Sequence, residues 1–237
     1  MKTKSRKSFW ISILIIAVLI PLTVVVSYLL GDQRLYIASV IIMILAMVPF
    51  FVSFEGRKPD ARGMSILAVM TAIAVVSRVA FMMLPSFKPM AGVIIITAMC
   101  FGPQAGFMCG ALSMIVSNII FGQGPWTPWQ MFAYGMIGFV AGILGKRRIL
   151  SERHALRTAI ISFIVVIILS GAILDTCSVF LMQQYQNGLS TLAIYAAGVP
   201  YNAGNATCSA LCVLFLVKPL TAIINRLKKK YGLDKLF

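Results

Sequence analysis

Aromatic and amide side chains suited to recognising a small molecule are concentrated in one short segment. Residues 122–131 read GQGPWTPWQM and hold two of the three tryptophans, Trp126 and Trp129, next to Gln130. Two glycines and two prolines restrict the backbone of this segment. Tryptophans at a membrane surface can form an aromatic belt, but a belt requires neither so constrained a turn nor glutamines beside it. The pattern favours ligand binding and leaves the belt as the alternative.

Two charged residues interrupt apolar runs on either side of this segment. Arg78 lies about one and a half turns, and Asp175 about two turns, from the end of its run, which places both at similar depth. A charge inside a membrane is costly, and it usually faces a cavity or pairs with an opposite charge. We therefore expect these two residues either to pair with each other or to contact a ligand.

Further amide and phenol groups stand at the same predicted end of the apolar runs. Asn118 closes the run before the tryptophan-rich segment, and residues 198–205 (GVPYNAGN) supply Tyr201 and Asn202. The glycines and the proline of this second cluster predict that it introduces the last helix. Aromatic, amide and arginine side chains that converge at one end of a helical body are typical of a small-molecule pocket.

Patterns typical of catalysis are missing from the sequence. The single histidine, His154, lies in a basic segment, and no HExxH or GxSxG motif occurs. Residues 142–146 (GILGK) resemble a phosphate-binding loop, but the glycine spacing is wrong and Arg147 replaces the required serine or threonine. The five cysteines show no metal or redox spacing. We expect a protein that is not an enzyme and has no cofactor or metal of its own.

Composition places these residues in a membrane. Of 237 residues, 60% are apolar and 11% are charged, and the mean hydropathy is +0.95, whereas a soluble domain carries about 25% charged residues. So few charges cannot cover a soluble globule. A net charge of +15 would suggest nucleic-acid binding in a soluble chain, but in a membrane chain it is typical of cytoplasmic loops that face anionic lipid. We expect an all-α, multi-pass protein of the cytoplasmic membrane.

Apolar runs that approach the roughly 20 residues needed to cross a bilayer predict eight transmembrane helices. The sequence Gly102-Pro103-Gln104 divides one long run into a short and a fuller helix joined by a tight turn. No segment alternates as a β-barrel strand does. The predicted spans are residues 8–30, 35–54, 63–84, 89–101, 104–121, 129–145, 158–182 and about 203–225.

The distribution of basic residues predicts the orientation. The predicted outer loops contain only Arg34 and Lys88, and two further cations lie within spans. The other 17 of the 21 lysines and arginines lie in residues 2–7, 57–62, 146–157 and 226–235. Because basic residues favour the cytoplasmic side, both termini are expected in the cytoplasm. A charged linker around residues 55–63 predicts a two-helix anchor, residues 1–56, and a six-helix substrate-binding body with a basic tail, residues 57–237.

Small residues four positions apart predict close helix contacts in lipid. For the series Gly102, Gly106 and Gly110, packing within the chain is the favoured interpretation. For Ala68 and Ala72, on the first helix of the body, a docking face for another protein and packing within the chain are both open.

The six-helix body resembles the substrate-specific S components of energy-coupling factor (ECF) vitamin transporters over about residues 61–230. The resemblance is carried by the Ala68-x-x-x-Ala72 face, by the FGPQAGF turn (residues 101–107) and by QGPWTPWQM (residues 123–131). The sequence departs from the family pattern at Val76, where a third small residue is expected, and in its two additional N-terminal helices.

The resemblance implies a subunit that captures a scarce vitamin outside the cell and hydrolyses no ATP itself. Ala68 and Ala72 would dock onto a transmembrane coupling subunit that binds two ATPases. The S component would then topple in the membrane and deliver its ligand inward. The residues expected to contact the vitamin are Arg78, Asn118, Trp126, Trp129, Gln130, Asp175, Tyr201 and Asn202.

The aromatic outer loop, with few cations near it, most resembles S components for cobalamin-type corrinoids, and riboflavin or another heterocyclic vitamin is the alternative ligand. An autonomous secondary transporter is an alternative function, although such proteins usually show paired broken helices, and only the break at residues 102–104 is visible. A structural membrane subunit would leave Arg78 and Asp175 without a role.

Overall fold

All regular elements in the described part of the chain are helical. The computed structural model describes residues 35–55, 61–182 and 190–231. A 3₁₀ turn, Glu152–His154, precedes α6, and a π-helical segment, Gly171–Asp175, joins α6 to α7. The helices are α1 (Leu35–Glu55), α2 (Ala61–Ala80), α3 (Met90–Phe101), α4 (Pro103–Phe121), α5 (Thr127–Lys146), α6 (Ala155–Ser170), α7 (Thr176–Met182) and α8 (Ser190–Tyr231).

Five helical runs in these residues are long and apolar enough to cross a membrane. The α6–α7 run and α8 are the longest of these runs. Helix α3 is also apolar but has only 12 residues. α5 has 20 residues and begins with the polar sequence TPWQ. The expected all-α, multi-pass membrane protein is confirmed. The first predicted span, residues 8–30, lies outside the described residues, so the total of eight spans stays a prediction.

The short helix α3 forms the centre of the bundle. Residues 90–98 are all buried, and α3 packs against α2, α4, α5 and α8. A helix that is apolar on every side is stable only when neighbours surround it. Because these neighbours hold α3 in place, they also fix the loop before it and the turn after it, at the two ends of the bundle.

The predicted break between α3 and α4 is confirmed. Gly102 has φ of +90°, a value that residues with a Cβ atom rarely adopt, and Pro103 occupies the first turn of α4, where no backbone N–H is needed. α4 then returns antiparallel to α3 and packs most extensively against α5.

Glycines form the contact between α4 and α5, as predicted. A Cβ atom at position 106 would lie 2.5 Å from the Gly138 carbonyl oxygen and 2.5 Å from the Ala98 Cβ. A Cβ atom at position 110 would clash with the Tyr134 carbonyl group. These backbones approach each other as closely as glycine allows.

Replacing Gly106 with alanine is therefore expected to destabilise the protein by about 1–3 kcal/mol, because backbone atoms must move to admit the methyl group. Thermal unfolding in detergent measures the effect. Gly171→Ala is the matched control, because a Cβ atom there would meet its nearest neighbour at 3.6 Å. Equal stability of the two variants would contradict the close α4–α5 contact.

The helices alternate in direction, and two distinct ends result. At one end, α3, α5 and α8 terminate beside the start of α6. We call this the basic end, because Arg148, Arg153 and Lys228 line a cavity there. At the other end, which we call the cavity end, α2 and α4 terminate beside the tryptophan-rich segment. The basic segments 146–157 and 226–231, both predicted to be cytoplasmic, thus share one end.

Two predicted helix boundaries were wrong. α2 ends at Ala80 rather than at residue 84, because Leu84 precedes Pro85 and residues 81–86 form turns. Arg78 therefore lies in the last turn of α2. The cluster at residues 198–205 does not introduce the last helix but lies inside α8. In lipid, backbone N–H and C=O groups have to form hydrogen bonds within the helix, and this requirement keeps the chain helical even around Pro200.

The helix before the six-helix body packs against it. Phe50 of α1 stacks on Phe107 of α4 with ring centroids 4.1 Å apart, and it meets Phe139 of α5 edge-on at 5.0 Å. Met47 is buried in the same cluster. Aromatic pairs of this geometry add to the stabilisation from buried area. The described half of the predicted anchor is thus in contact with the body, and the division at residue 56 stays a prediction.

Candidate functional site

A cavity of about 200 Å³ opens at the cavity end of the bundle. It lies between the end of α2, the start of α5, the π-helical segment, α7 and the N-terminal half of α8. Aromatic rings, amides, two cations and one carboxylate share its wall. The lining residues are Arg78, Lys88, Met114, Trp126, Gln130, Tyr134, Leu174, Asp175, Cys177, Ser178, Leu181, Tyr201 and Asn202.

One face of α5, continued by its N-cap residue Trp126, supplies the aromatic side of this wall. Trp126, Gln130 and Tyr134 follow at intervals of four residues, so they lie above one another on the same side of the helix. The Trp126 ring rests against Gly124, where a Cβ atom would lie 2.5 Å from it. Trp126 is 40% exposed and Tyr201, across from it on α8, is 45% exposed. These two rings flank the mouth of the cavity, and Tyr134 is buried deeper.

Arg78 is a buried cation held by α4. Its side chain is 8% exposed, and its Nη1 donates to the Asn118 Oδ1 at 2.8 Å and to the Ser117 hydroxyl. The guanidinium carbon lies 4.3 Å from the centroid of the Phe121 ring, and the Lys88 ammonium lies 5.1 Å from the same centroid. The bonds from α4 use Nη1, and Arg78 also lines the cavity.

Asn118 connects the arginine to the tryptophan-rich segment. Its Nδ2 donates to the Gln130 Oε1 at 2.7 Å and to the Thr127 Oγ1 at 3.1 Å. The Thr127 hydroxyl in turn donates to the Gln123 Oε1 at 3.0 Å. Asn118 is itself fully buried. It therefore positions Arg78 and Gln130 and does not line the cavity.

Asp175 lies at the end of the π-helical segment and faces α8. Its Oδ2 accepts a bond of 2.8 Å from the Asn202 Nδ2. A side chain at position 198 would clash with this carboxylate, because a Cβ atom there would lie 2.6 Å from the Asp175 Cγ. Gly198 therefore gives Asp175 its place against α8. π-helical segments recur at functional sites, and this one turns a carboxylate into the cavity.

Arg78 and Asp175 line the same cavity without pairing. Among residues 35–55, 61–182 and 190–231, no ion pair joins Arg78 to a carboxylate: its hydrogen bonds go to α4, and those of Asp175 go to Asn202. Of the two expectations from the sequence, a direct pair is not what the structure contains. Each charge instead has neutral partners and faces the cavity, as buried membrane charges at binding sites do.

The wall divides into a donor side and an acceptor side. The donors are Arg78 at the end of α2, Lys88 in the loop before α3, and the Nε2 of Gln130 near the start of α5. The Oε1 of Gln130 accepts a bond from Asn118. Asp175 and the Asn202 carbonyl oxygen are acceptors from the π-helical segment and α8. A complementary ligand carries acceptors at one end and hydroxyl or amine donors at the other, with an apolar surface between them.

Six of the eight side chains predicted to bind a ligand line this cavity. Asn118 lies behind the wall. Trp129 is 4% exposed and packs against Phe180 with ring centroids 5.8 Å apart. Its indole N–H has no hydrogen-bond partner within the described residues. The six lining residues are Arg78, Trp126, Gln130, Asp175, Tyr201 and Asn202. Their contact with a ligand stays a prediction.

Sequence reasoning missed several lining residues that a periodicity argument could have found. Tyr134 follows Gln130 by one turn, and Ser178 follows Leu174 by one turn, so each shares a helix face with another lining residue. The sequence places Lys88 only in a predicted outer loop. Its place at the cavity depends on the turn after α2, for which the sequence gives no distance.

The small-residue face of α2 is exposed along its whole length. Ala68 and Ala72 are both exposed, and Val76, one turn further, is 64% exposed. α2 packs against α3 and α4 with its other side. No described helix covers these alanines, so packing within the described part of the chain does not account for them.

A comparison with known families identifies the chain. The family described as "ECF-type riboflavin transporter, S component" matches residues 60–222, more than half of the 237-residue chain. No solved structure matches the chain. The match covers α2 to the greater part of α8 and includes every residue that lines the cavity. It supports the S-component resemblance but not its cobalamin-type subdivision. The chain belongs to the family of S components of ECF-type riboflavin transporters.

Proposed function

We propose that this chain is the subunit of an ECF-type importer that captures riboflavin, or a closely related flavin, at the cavity end. The observation that carries the proposal is the division of one aromatic cavity into a donor side and an acceptor side. The ring system of a flavin is flat and presents carbonyl oxygens and ring nitrogens at one edge. Its sugar-alcohol chain presents hydroxyl donors.

The two sides of the wall match these two parts of the ligand. Arg78 and the Gln130 amide would donate to the oxygens and nitrogens of the ring edge. Asp175 and the Asn202 carbonyl would accept from the hydroxyls of the chain. Trp126 and Tyr201 would cover the ring faces at the mouth, because stacking on flat heterocycles is favourable for aromatic side chains.

A corrinoid, the first expectation from the sequence, is less well supported. A cavity of about 200 Å³ lies below the range of about 300–1,000 Å³ for typical ligand sites, and a corrin macrocycle with its nucleotide loop is several times larger than a flavin. Because a flavin is much smaller than a corrinoid, we infer that it requires less enlargement of this cavity.

We further propose that import depends on separate subunits. The exposed Ala68 and Ala72 on α2 would dock onto a transmembrane coupling subunit, and two ATPase subunits would supply the energy. The basic end, with residues 146–157 and 226–231, would face the cytoplasm. The cavity end would then face outward, and delivery would require the whole body to topple in the cytoplasmic membrane.

Binding of riboflavin to the purified full-length protein tests the proposal directly. We expect quenching of riboflavin fluorescence on titration and no binding of cobalamin in equilibrium dialysis. Trp126→Ala is expected to weaken riboflavin binding about tenfold, because stacking on a base-like ring contributes about 1–3 kcal/mol. Phe215→Ala is the matched control, since Phe215 is an exposed ring on α8 that does not line the cavity.

Two outcomes would contradict this proposal. Binding of cobalamin in place of riboflavin would restore the corrinoid interpretation. Failure of both ligands, together with uptake by the chain without an ATPase, would favour an autonomous transporter.

A further inference from the structure

A second and larger cavity lies at the basic end, about 430 Å³ in volume. It is enclosed by the end of α3, the turn after α5, the 3₁₀ turn before α6 and the last turns of α8. It lies at the opposite end of the bundle from the cavity that Arg78 and Asp175 line. The lining residues are Met99, Cys100, Gly145, Arg148, Leu150, Ser151, Glu152, Arg153, Thr221, Asn225 and Lys228.

The charge of this wall is positive. Among the described residues, Arg148, Arg153 and Lys228 line it together with one carboxylate, Glu152. Neither arginine has an ion-pair partner within the described residues, whereas the Lys228 ammonium donates to the carbonyl oxygen of Cys100 at the end of α3. Lys228 therefore has a structural role in capping α3, and the two arginines are the groups available to a ligand.

The backbone at Arg148 strengthens this assignment. Arg148 has φ of +57°, the left-handed conformation that commonly ends a helix and is usually occupied by glycine. This conformation costs free energy for a residue with a Cβ atom. Residues held in such conformations recur at functional sites. Arg148, which adopts this conformation, lines the cavity.

We propose that this cavity binds a phosphoryl anion, carried by an anionic phospholipid headgroup or free in solution. The guanidinium groups of Arg148 and Arg153 match the oxygens of a phosphate in pairs. The neutral groups of Ser151, Thr221 and Asn225 add hydrogen-bonding partners around it. Basic pockets between transmembrane helices at a membrane surface are typical sites for phospholipid headgroups.

Thermal unfolding of the full-length protein in neutral detergent tests the site with three probes: short-chain phosphatidylglycerol, short-chain phosphatidylcholine and inorganic phosphate at matched ionic strength. A ligand that binds only the folded state raises the unfolding midpoint. We expect phosphatidylglycerol to raise it and phosphatidylcholine not to. If inorganic phosphate also raises the unfolding midpoint, the site recognises the phosphoryl anion itself. If only phosphatidylglycerol raises the midpoint, the site recognises the lipid headgroup.

Variants separate this site from general charge effects. Arg148→Gly keeps the backbone conformation and removes the guanidinium group, and Arg153→Gln removes the second. Each is expected to weaken the apparent affinity about tenfold, the effect of losing one charge-assisted hydrogen bond. Arg147→Gln is the matched control, because Arg147 is exposed like Arg148 and Arg153 and carries the same charge but does not line the cavity. An equal loss in Arg147→Gln, or no stabilisation of the wild type by either anion, would overturn the proposal.

Discussion

Replacing Arg78 with methionine is expected to weaken riboflavin binding about a hundredfold, equivalent to about 2.8 kcal/mol. Among the described residues, Arg78 is the arginine that lines the cavity, and the substitution removes its guanidinium group. It also removes the bond that orients Asn118, and through it the Gln130 amide. Each charge-assisted hydrogen bond contributes about 1.5–3 kcal/mol, so losing one to the ligand and loosening a second accounts for this effect. Fluorescence titration of the purified variant measures it.

Companion variants show whether the loss comes from the ligand contact or from folding. Arg78→Lys keeps the positive charge and loses the planar fork, and it should show an intermediate loss of about tenfold. Lys218→Met, which removes a cation from an exposed position on α8, should bind like wild type. If Arg78→Met unfolds at the wild-type temperature and binds riboflavin normally, the arginine has no part in recognition.

A double-mutant cycle addresses the relation between Arg78 and Asp175. Because their hydrogen bonds go to different partners, the effects of Arg78→Met and Asp175→Asn on stability without ligand should add within about 0.5 kcal/mol. Recovery of stability in the double variant would instead indicate a structural ion pair. The cycle thus distinguishes the two interpretations that the sequence left open.

The helical architecture was largely predictable because lipid makes apolar length a strong signal. Predicted spans such as 104–121 and 129–145 agree with α4 and α5 within one or two residues. Gly102 and Pro103 act through local sterics, so their break could also be predicted. Local rules failed at residues 198–205, where Gly198 and Pro200 lie within a helix. The requirement for internal backbone hydrogen bonds in a membrane outweighs the local preference of these residues.

The candidate site was predictable in its membership but not in the roles of its members. Polar residues at one end of an apolar bundle must find polar partners, so Arg78, Asn118 and Gln130 could be expected to converge. Which of them faces the cavity depends on the rotation of each helix about its axis. Asn118 on α4 is buried behind the wall, whereas Gln130 on α5 lines the cavity, and contacts between residues distant in sequence decide this difference.

The π-helical segment was not visible in the sequence. Residues 158–182 form one apolar run, which predicts an uninterrupted α-helix. At the end of the π-helical segment, Gly171–Asp175, the carboxylate of Asp175 meets Asn202 and Gly198 on α8. Such a contact has no signature in the local sequence, and it decides where the acceptor side of the cavity lies.

The small-residue face of α2 leads to the second large expected effect, on transport rather than on binding. Ala68 and Ala72 are exposed on the side of α2 that faces away from α3 and α4. In lipid, small side chains allow close backbone contact between helices and thereby make dispersion contacts and weak hydrogen bonds available. A tryptophan at either position would hold a docking helix several ångströms away.

We therefore expect Ala68→Trp and Ala72→Trp to reduce ATP-driven riboflavin uptake to the level seen without ATP. Riboflavin binding to the isolated subunit should stay within about twofold of wild type, well under the tenfold change in affinity that about 1.4 kcal/mol produces. Uptake is measured in vesicles that contain the chain, a coupling subunit and its ATPases. Ile164→Trp is the matched control, because Ile164 is an exposed residue midway along α6, which packs on a different side of the bundle. Since all three variants add an indole to an exposed membrane-facing surface, uptake lost only at positions 68 and 72 would assign docking to this face. Normal uptake in both α2 variants would mean that the coupling subunit binds elsewhere.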